Sequence, residues 1–145
     1  KLGGMGGECY RNYLIGPWTT EQERMWEVVA ETIQIQEEES KAGAVCSDIA
    51  AKIHQHQVDA GMSEYIYHRP AHGQGQFFSG HQPPFIALGD YSLLEENMTF
   101  SMEPGLYDAA RGIGINPSDN LRVTADRGVR FSSVPFSKEW SFLEL

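Results

Sequence analysis

Basic residues, cysteines and long apolar runs are all scarce in this chain, and each shortage excludes a class of partner or site. The 11 lysines and arginines stand against 20 aspartates and glutamates, which gives a formal net charge of −9. Nucleic acids and anionic membranes are both bound through basic surfaces, so we expect neither as a partner. No apolar run approaches the roughly 20 residues that span a bilayer, and we find no signal-peptide pattern.

The two cysteines, Cys9 and Cys46, are too few for a disulfide framework and lack the C-x-x-C spacing of a zinc site. We therefore expect free thiols in a reducing compartment, and a cytoplasmic protein. The Gly-rich run at 3–7 has neither the G-x-G-x-x-G pattern nor a Walker lysine, which argues against a phosphate site. The remaining composition is that of one globular domain: 145 residues, 41% apolar and 21% charged.

Three of the five histidines lie close together in the middle of the chain: His68, His72 and His81. Pro70 argues against a helix that would place the first two on one face. We predict a strand at 64–67 that carries His68 and opens into a glycine-hinged loop bearing His72, with His81 brought back by the next turn. Imidazole titrates near neutrality, so this cluster predicts a proton-handling or metal-binding site. The alternative is that the three rings only form hydrogen bonds with loop backbone.

Two helices are predicted ahead of the histidines. Thr19 or Thr20 caps the first helix, Thr20 and Glu23 have the spacing of a capping box, and Gly43 ends it. The residues on its apolar face are Trp26, Val29, Ala30 and Ile33. The acidic run at 37–39 is expected in solvent.

The second helix is predicted to start at the cap Ser47 and to end at Gly61. The side chains that point inward are Ile49, Ile53 and Ala60. His54 and His56 are two positions apart on this helix and therefore diverge, so we interpret them as surface histidines rather than as ligands.

The rest of the chain is predicted to be mostly strands. One strand at 10–15 precedes the helices, and a loop at 83–90 follows the histidines. The run 98–103 alternates strictly, with Glu103 at its end, and 121–131 reads as a hairpin around 126–128. One strand, two helices and then mostly antiparallel strands indicate an α+β domain.

Several motifs together resemble the pita-bread hydrolases, the family of creatinase, Xaa-Pro aminopeptidase, prolidase and methionine aminopeptidase. The most specific are H-G-Q-G at 72–75 with His81 downstream, and L-E-E-N-M-T-F-S-M-E-P-G-L-Y at 94–107. The run 43–50 is similar to the creatinase branch in particular. The resemblance implies a half or truncated pita-bread fold, with a mostly antiparallel curved sheet and two helices on one face. It further implies that residues 1–145 form a single, partial catalytic domain.

Metal-dependent members of this family hold two divalent ions with two aspartates, one histidine and two glutamates. By motif, His72 matches the histidine, Glu103 matches the first glutamate, and Glu8 stands nearest the second aspartate. Ser118 stands where the second glutamate is expected, and the first aspartate would lie at or before Lys1. Two ions need bridging carboxylates. The resemblance therefore implies a degenerate metal site, which holds Mn, Zn, Co or Fe only if the missing ligands come from elsewhere.

The resemblance thus implies metal-independent hydrolysis of a C–N bond in a small amino-acid-derived substrate, as in creatinase-like members. His72, His81 and Glu103 would be catalytic, and His68 and Tyr107 would bind substrate. Two alternatives stay open: a metal-dependent Xaa-Pro dipeptidase or aminopeptidase, and a non-catalytic fragment or binding module of the same fold. A lyase on this scaffold is more remote. By the same analogy we expect a small-molecule or dipeptide substrate and a homodimer.

Overall fold

The structure, a computed structural model, describes residues 4–75 and 81–144. Its helices are α1 (Thr20–Glu39), α2 (Cys46–Asp59) and the short α3 (Lys138–Ser141), and a 3₁₀ turn spans Ser63–Tyr65. The strands are β1 (Leu14–Ile15), β2 (Ala71–Gly73), β3 (Gln82–Ile86), β4 (Thr99–Met102), β5 (Leu106–Asp108), β6 (Ile113–Ile115), β7 (Asp119–Val123), β8 (Gly128–Arg130) and β9 (Phe142–Leu143). The predicted α+β class is confirmed. Within the described ranges, no helix combines the length and apolar character that crossing a membrane would require.

Five strands form one antiparallel sheet in the order β3–β2–β4–β7–β8. β2 lies inside this sheet, and its middle residue His72 pairs with Phe85 on one side and with Ser101 on the other. Ser101 pairs in turn with Asn120 of β7. Because directly paired residues share one face of a sheet, the side chains of His72, Ser101 and Asn120 form a polar row across it.

The opposite face of this sheet packs against α2 and forms the main core. The predicted alternation in β4 is confirmed there: Phe100 and Met102 are 1% and 0% exposed, and Met98 packs against the same cluster. Ile49 and Ile53 of α2 belong to this cluster as well. Full burial of each such side chain contributes about 1.5–3 kcal/mol, so this face fixes the position of β4 and of the polar row behind it.

A second apolar cluster lies around the N-terminal half of α1. The ring of Trp26 lies 5.3 Å from that of Phe136 and 5.9 Å from that of Phe142, measured between centroids. β5 and β6 pair beside it and supply Leu106 and Ile115. β9, which carries Phe142, pairs in parallel with β1. The C-terminal segment is therefore held against the segment that directly precedes α1.

The ends of α1 differ in part from the prediction. Thr19 is the N-cap, and its capping box is completed by Gln22, so the predicted pair of Thr20 and Glu23 is wrong. The helix ends at residue 39, and Gly43 lies in the turn that follows, with a φ of +85°. The capping pattern occurs twice in this run, one residue apart, and the spacing alone could not decide between the two registers.

The predicted start of α2 is two residues too late. Ser47 is not its cap, because the helix begins at residue 46 and Val45 takes the N-cap position without a side-chain hydrogen bond. The hydroxyl of Ser47 instead accepts a hydrogen bond from the backbone amide of Gly89. The side chain of Ser47 therefore forms a tertiary contact instead of capping the helix. Gly61, with a φ of +78°, follows the end of the helix as predicted.

Two ionisable side chains on the helices, Glu37 and His56, have side-chain partners and are not simply solvated. Glu37 of the acidic run is only 9% exposed and accepts a hydrogen bond from Arg130 Nε at 2.7 Å, so its predicted solvation is wrong. His56 Nε2 lies 2.9 Å from Glu31 Oε2, whereas His54 is exposed, in agreement with the predicted divergence.

The histidine stretch differs most from the prediction. The predicted strand at 64–67 is wrong, because a 3₁₀ turn occupies 63–65, and the predicted glycine-hinged loop around His72 is the buried strand β2. The predicted loop at 83–90 likewise contains most of β3. A Cβ on Gly73 would lie 2.7 Å from the carbonyl oxygens of Gln82 and Pro83. This glycine therefore permits close strand pairing rather than hinge motion.

Candidate functional site

His72 is at the centre of the polar face and is 3% exposed. Its Nδ1 lies 3.1 Å from the carbonyl oxygen of Gly73, and its Nε2 lies 3.2 Å from Glu103 Oε1 and 3.8 Å from Glu8 Oε2. A carbonyl oxygen accepts hydrogen bonds and never donates them, so Nδ1 must carry a proton. Because Nε2 also faces carboxylate oxygens, the ring satisfies all its contacts when it is a doubly protonated imidazolium.

The electrostatics of His72 favour the same protonation state. Burial by itself would lower the pKa of this imidazole. The hydrogen bonds with Glu103 and with the Gly73 carbonyl, and the negative charges of Glu103 and Glu8, outweigh that effect and raise the pKa of His72. The site therefore holds a proton on this ring at pH values where a free imidazole would begin to lose it.

Glu103 follows β4 directly and is held by its backbone as well as by its side chain. Its amide donates to the carbonyl oxygen of Pro70 at 2.7 Å, which joins the segment before β2 to the segment after β4. The hydrogen bond from His72 lowers the pKa of this carboxyl to about 2, against the opposing effect of burial. Glu103 is therefore the ionised partner of the imidazolium.

Glu8 reaches the site from a segment without regular secondary structure. Its amide donates to Asn120 Oδ1 at 3.0 Å, and nearby Tyr10 exchanges backbone hydrogen bonds with Ser118. Of the strand predicted at 10–15, only residues 14–15 form β1, so most of that prediction is wrong. Burial and the hydrogen bond with Glu103 raise the pKa of the Glu8 carboxyl. Glu8 is therefore the carboxyl of the pair that retains its proton more strongly.

The hydroxyl of Ser101 connects the two carboxyls. Its Oγ lies 2.8 Å from Glu8 Oε2, 2.9 Å from Glu103 Oε1 and 3.3 Å from Ser118 Oγ. A hydroxyl has one proton to donate and two lone pairs that accept. With Glu8 protonated, Ser101 accepts from Glu8 and Ser118 and donates to Glu103. With these donors and acceptors, each of these side chains has a hydrogen-bond partner. The connected hydrogen bonds also form a path for protons.

His81 completes the cluster from the position directly before β3. Its ring stacks on that of His72, with 4.1 Å between centroids and 29° between planes, while the residue itself is exposed. The ligand atoms of Glu8, His72 and His81 all lie within 4.8 Å of one another. The turn that was predicted to bring His81 back spans residues that include 76–80, which lie outside the described residues.

His68 and Tyr107 form a second pair at the edge of the site. His68 Nε2 lies 2.9 Å from the Tyr107 hydroxyl, and its Nδ1 lies 2.8 Å from the carbonyl oxygen of Arg69. Since Nδ1 must donate to that carbonyl, a neutral His68 accepts the tyrosine proton at Nε2. Burial, and then the charge of Glu103, raise the pKa of the Tyr107 hydroxyl. Tyr107 therefore stays a neutral donor.

A cleft of about 310 Å³ lies between α2 and the loop that precedes β2. Its lining is mostly apolar and includes Ile53, His54, Tyr67, His68, Arg69 and Leu88. None of Glu8, His72 and Glu103 lines it. His68 thus belongs both to the wall of the cleft and, through Tyr107, to the surroundings of Glu103.

The two-ion centre of the metal-dependent members does not fit the described residues. Ser118, at the place of the second glutamate, is 0% exposed, and its hydroxyl is bonded to Ser101. A neutral hydroxyl cannot supply the charge that a carboxylate shares between two divalent cations. The position of the first aspartate, at or before Lys1, lies outside the described residues. His72, Glu103 and Glu8 alone do not balance two such ions.

The structure brings together His72, His81 and Glu103, and it also brings in Glu8, which the motif alignment placed only approximately. His68 and Tyr107 are adjacent to each other, as a shared binding role requires, although no contact tests that role. Sequence reasoning missed Ser101, even though the alternation that buries Phe100 puts Ser101 on the opposite face. It also missed Asn120, because no local signal connects residue 120 with residue 8.

Comparisons with known proteins bear on the chain as a whole. A sequence profile of metallopeptidase family M24 matches residues 1–125. A protein of Mycobacterium tuberculosis named as a probable dipeptidase is 29% identical over an alignment of 139 residues, which covers 92% of this chain and 36% of that protein. The Xaa-Pro dipeptidase of Lactobacillus delbrueckii is 34% identical over 104 residues, which are 72% of this chain and 28% of that enzyme.

Solved structures give the same fold. The dipeptidase PepE of Mycobacterium ulcerans superposes with a TM-score of 0.89 at 24% identity, over 99% of this chain and 38% of that one. The X-Pro aminopeptidase of Thermotoga maritima superposes with a TM-score of 0.82, over 94% of this chain and 37% of that one. This confirms the predicted partial pita-bread fold. The chain spans about a third of the length of the relatives it matches.

Proposed function

Because the chain belongs to metallopeptidase family M24, we propose that it is a hydrolase of a C–N bond in a small amino-acid-derived substrate, of dipeptide size, and that it works without a two-ion centre. The observation that carries the proposal is the contact between His72 Nε2 and Glu103 Oε1, with Glu8 beside it. Such a set of one imidazolium, one ionised carboxylate and one carboxyl of raised pKa can both give and take protons.

In the proposed reaction, His72 is the general acid. Water adds to the carbon of the C–N bond, the proton of the imidazolium goes to the leaving nitrogen, and the bond breaks. Glu103 keeps His72 protonated and oriented. Glu8, when ionised, takes the proton of the attacking water, because its raised pKa lies closer to the working pH than that of Glu103.

The hydroxyl of Ser101 closes the cycle. After the bond breaks, Glu8 holds a proton and His72 has lost one. Ser101 contacts both Glu8 and Glu103, so the proton can return from Glu8 through Ser101 and Glu103 to His72. His81, stacked on His72, is proposed to share this proton handling, and the pair of His68 and Tyr107 is proposed to bind a polar group of the substrate.

A metal-dependent Xaa-Pro dipeptidase is the second candidate. Two observations favour it: the relatives named as Xaa-Pro dipeptidases, and the close approach of ligand atoms from Glu8, His72 and His81. A non-catalytic module of the same fold is the third. The creatinase-like branch, the homodimer and the cytoplasmic location stay predictions.

The test is hydrolysis by chelator-treated protein, free of divalent ions, on Xaa-Pro dipeptides, other dipeptides and N-substituted amino acids. We expect turnover that His72→Gln abolishes and that His56→Gln, at a histidine on α2 that pairs with Glu31, leaves unchanged. Turnover that appears only after divalent ions are restored would favour the second candidate. No turnover with or without ions, in protein whose circular dichroism shows a folded chain, would favour the third.

A further inference from the structure

The cleft between α2 and the loop that precedes β2 has a charge pattern opposite to that of the chain, whose formal net charge is −9. Among the described residues that line the cleft, no aspartate or glutamate occurs. The ionisable side chains of its lining are Tyr67, His54, His68 and Arg69. Because an arginine side chain in a protein is always charged, the cleft holds one permanent positive charge. A charged ligand of this cleft is therefore expected to be an anion.

The guanidinium of Arg69 differs from the other arginine head groups within residues 4–75 and 81–144. Each of the other six forms a hydrogen bond or an ion pair with an oxygen atom of the chain. The Arg69 guanidinium instead lies over the ring of Phe85, with 4.2 Å between its central carbon and the ring centroid. Stacking occupies a face of the planar group and leaves the N–H donors at its edge able to bind an oxygen anion.

The position of this donor group is set before any ligand binds. The stack on Phe85 restricts the Arg69 side chain, and the carbonyl oxygen of Arg69 accepts a hydrogen bond from His68 Nδ1 at 2.8 Å. Since His68 Nε2 is bonded to the Tyr107 hydroxyl, both ring nitrogens of His68 have partners and the anion must be bound by Arg69. A group that is already held in place loses less conformational entropy when it binds a ligand.

The rest of the cleft suits an apolar body of small size. Ala50 and Ile53 of α2 are 2% and 1% exposed, whereas Tyr67 and Leu88 are 63% and 60% exposed, so the lining extends from the packed helix to solvent. Its volume of about 310 Å³ is at the lower end of the range of small-molecule sites, roughly 300–1,000 Å³. A ligand that covers the exposed apolar side chains removes their surface from water, which favours binding.

We propose that this cleft binds a small carboxylic acid with an apolar body, the carboxylate on the N–H donors of Arg69 and the body against the apolar wall of α2. A carboxylate is planar and singly charged, so it matches one guanidinium in geometry and in charge. A phosphate dianion would need further cations. Of the described residues to which the proposed hydrolysis assigns proton transfer, none lines the cleft. The binding proposal therefore does not depend on the hydrolase proposal.

The test is titration of the ¹⁵N-labelled wild-type chain with phenylacetate, followed by two-dimensional NMR, which reports affinity and location together. Phenylacetamide has nearly the same shape without the charge, and acetate has the charge without the ring. We expect saturable binding of phenylacetate that shifts the amides of residues 53–54, 66–69 and 87–88. Both controls should bind at least tenfold more weakly.

Three outcomes of this titration would overturn the proposal. The first is the absence of saturable phenylacetate binding. The second is equal affinity for phenylacetate and phenylacetamide, which would mean that Arg69 does not bind the carboxylate. The third is a set of shifts centred on residues 8, 72 and 103, which would place the anion on the polar face of the sheet instead.

One substitution then tests the role of the charge. We expect Arg69→Gln to weaken phenylacetate binding at least tenfold, because a hydrogen bond between charged groups is lost, and to leave the affinity for phenylacetamide unchanged. Arg24→Gln, at an exposed arginine of α1, removes the same net charge elsewhere and should leave both affinities unchanged. Wild-type phenylacetate affinity in Arg69→Gln would overturn the proposal. None of these measurements uses turnover, so the binding and hydrolase proposals can fail separately.

Discussion

The two faces of β4 are both buried, yet they are held by different forces. On one face, Phe100 and Met102 are enclosed by aliphatic side chains and need no partner of defined geometry. On the other, Ser101 and Glu103 are enclosed by polar atoms, and each contact there joins a named donor to a named acceptor. The apolar face stabilises the fold in proportion to the apolar area that it buries. A substitution there therefore lowers stability by an amount that depends on how much of the side chain is removed. The second is a network in which one missing group leaves others unpaired.

The largest effect on stability is expected on the apolar face. Phe100→Ala would leave a cavity at a residue that is 1% exposed, and such changes lower the free energy of unfolding by about 3–5 kcal/mol. Urea denaturation measures this directly. Phe131→Ala, at a phenylalanine that is 57% exposed, is the matched control and should change stability by less than about 0.5 kcal/mol. Similar losses in both variants would contradict the assigned core.

The largest effect on activity is expected on the polar face. If the proposed hydrolysis holds, His72→Gln should lower kcat by about 10²–10⁴-fold, the usual contribution of general acid–base catalysis. Glutamine keeps a donor towards Glu103 but cannot carry the proton that the leaving nitrogen needs. Steady-state kinetics on chelator-treated protein measures the effect. A kcat within threefold of wild type would remove His72 from the mechanism.

The ion pair of the polar face should stabilise the protein only within a window of pH. The pKa of Glu103 is lowered from 4.5, so its contribution is complete above that value and is lost as the pH falls towards about 2. The pKa of His72 is raised from 6.5, so its contribution is complete below that value and is lost as the pH rises through the raised pKa. The combined contribution is therefore largest between about pH 4.5 and pH 6.5.

Glu103→Gln tests this window. The variant removes a hydrogen bond between charged groups, which is worth about 1.5–3 kcal/mol. Denaturation of wild type and variant at several pH values should show the largest difference inside the window and a smaller one on both sides. A difference that does not vary between pH 3 and pH 9 would mean that the two groups are not ionised as a pair.

The smallest of these effects is expected for Ser101→Ala. The change removes the hydroxyl that contacts Glu8, Glu103 and Ser118, and we expect a loss of about 1–3 kcal/mol in the free energy of unfolding from the groups left unpaired. Ser133→Ala, at an exposed serine, is the control. Stability equal to wild type in both variants would show that removing one group from the polar face of β4 does not leave its hydrogen-bond partners unpaired at a cost.

Much of the apolar face was predictable from the sequence, and little of the polar face was. Strict alternation located β4 and the inward direction of Phe100, since one buried face imposes a period of two. Motifs identified Glu103 and His72 as site residues. The sequence-based prediction, however, put His72 in a loop, whereas it lies in a strand. β2 has only three residues, next to Pro70, and it is a strand because β3 and β4 pair with it on both sides. Such tertiary support overrides local preference.

The position of Glu8 has a consequence for how the site assembles during folding. Glu8 meets Ser101 across 93 positions of the chain and Asn120 across 112. Closing a loop costs entropy that grows with its length, whereas α2, β7 and β8 form through contacts between near neighbours. The segment around Glu8 is therefore expected to dock late and to detach first. Hydrogen exchange at its amides should then be governed by local opening rather than by global unfolding. In the native protein, Glu8 would then repeatedly leave the site and return to it while the sheet stays intact.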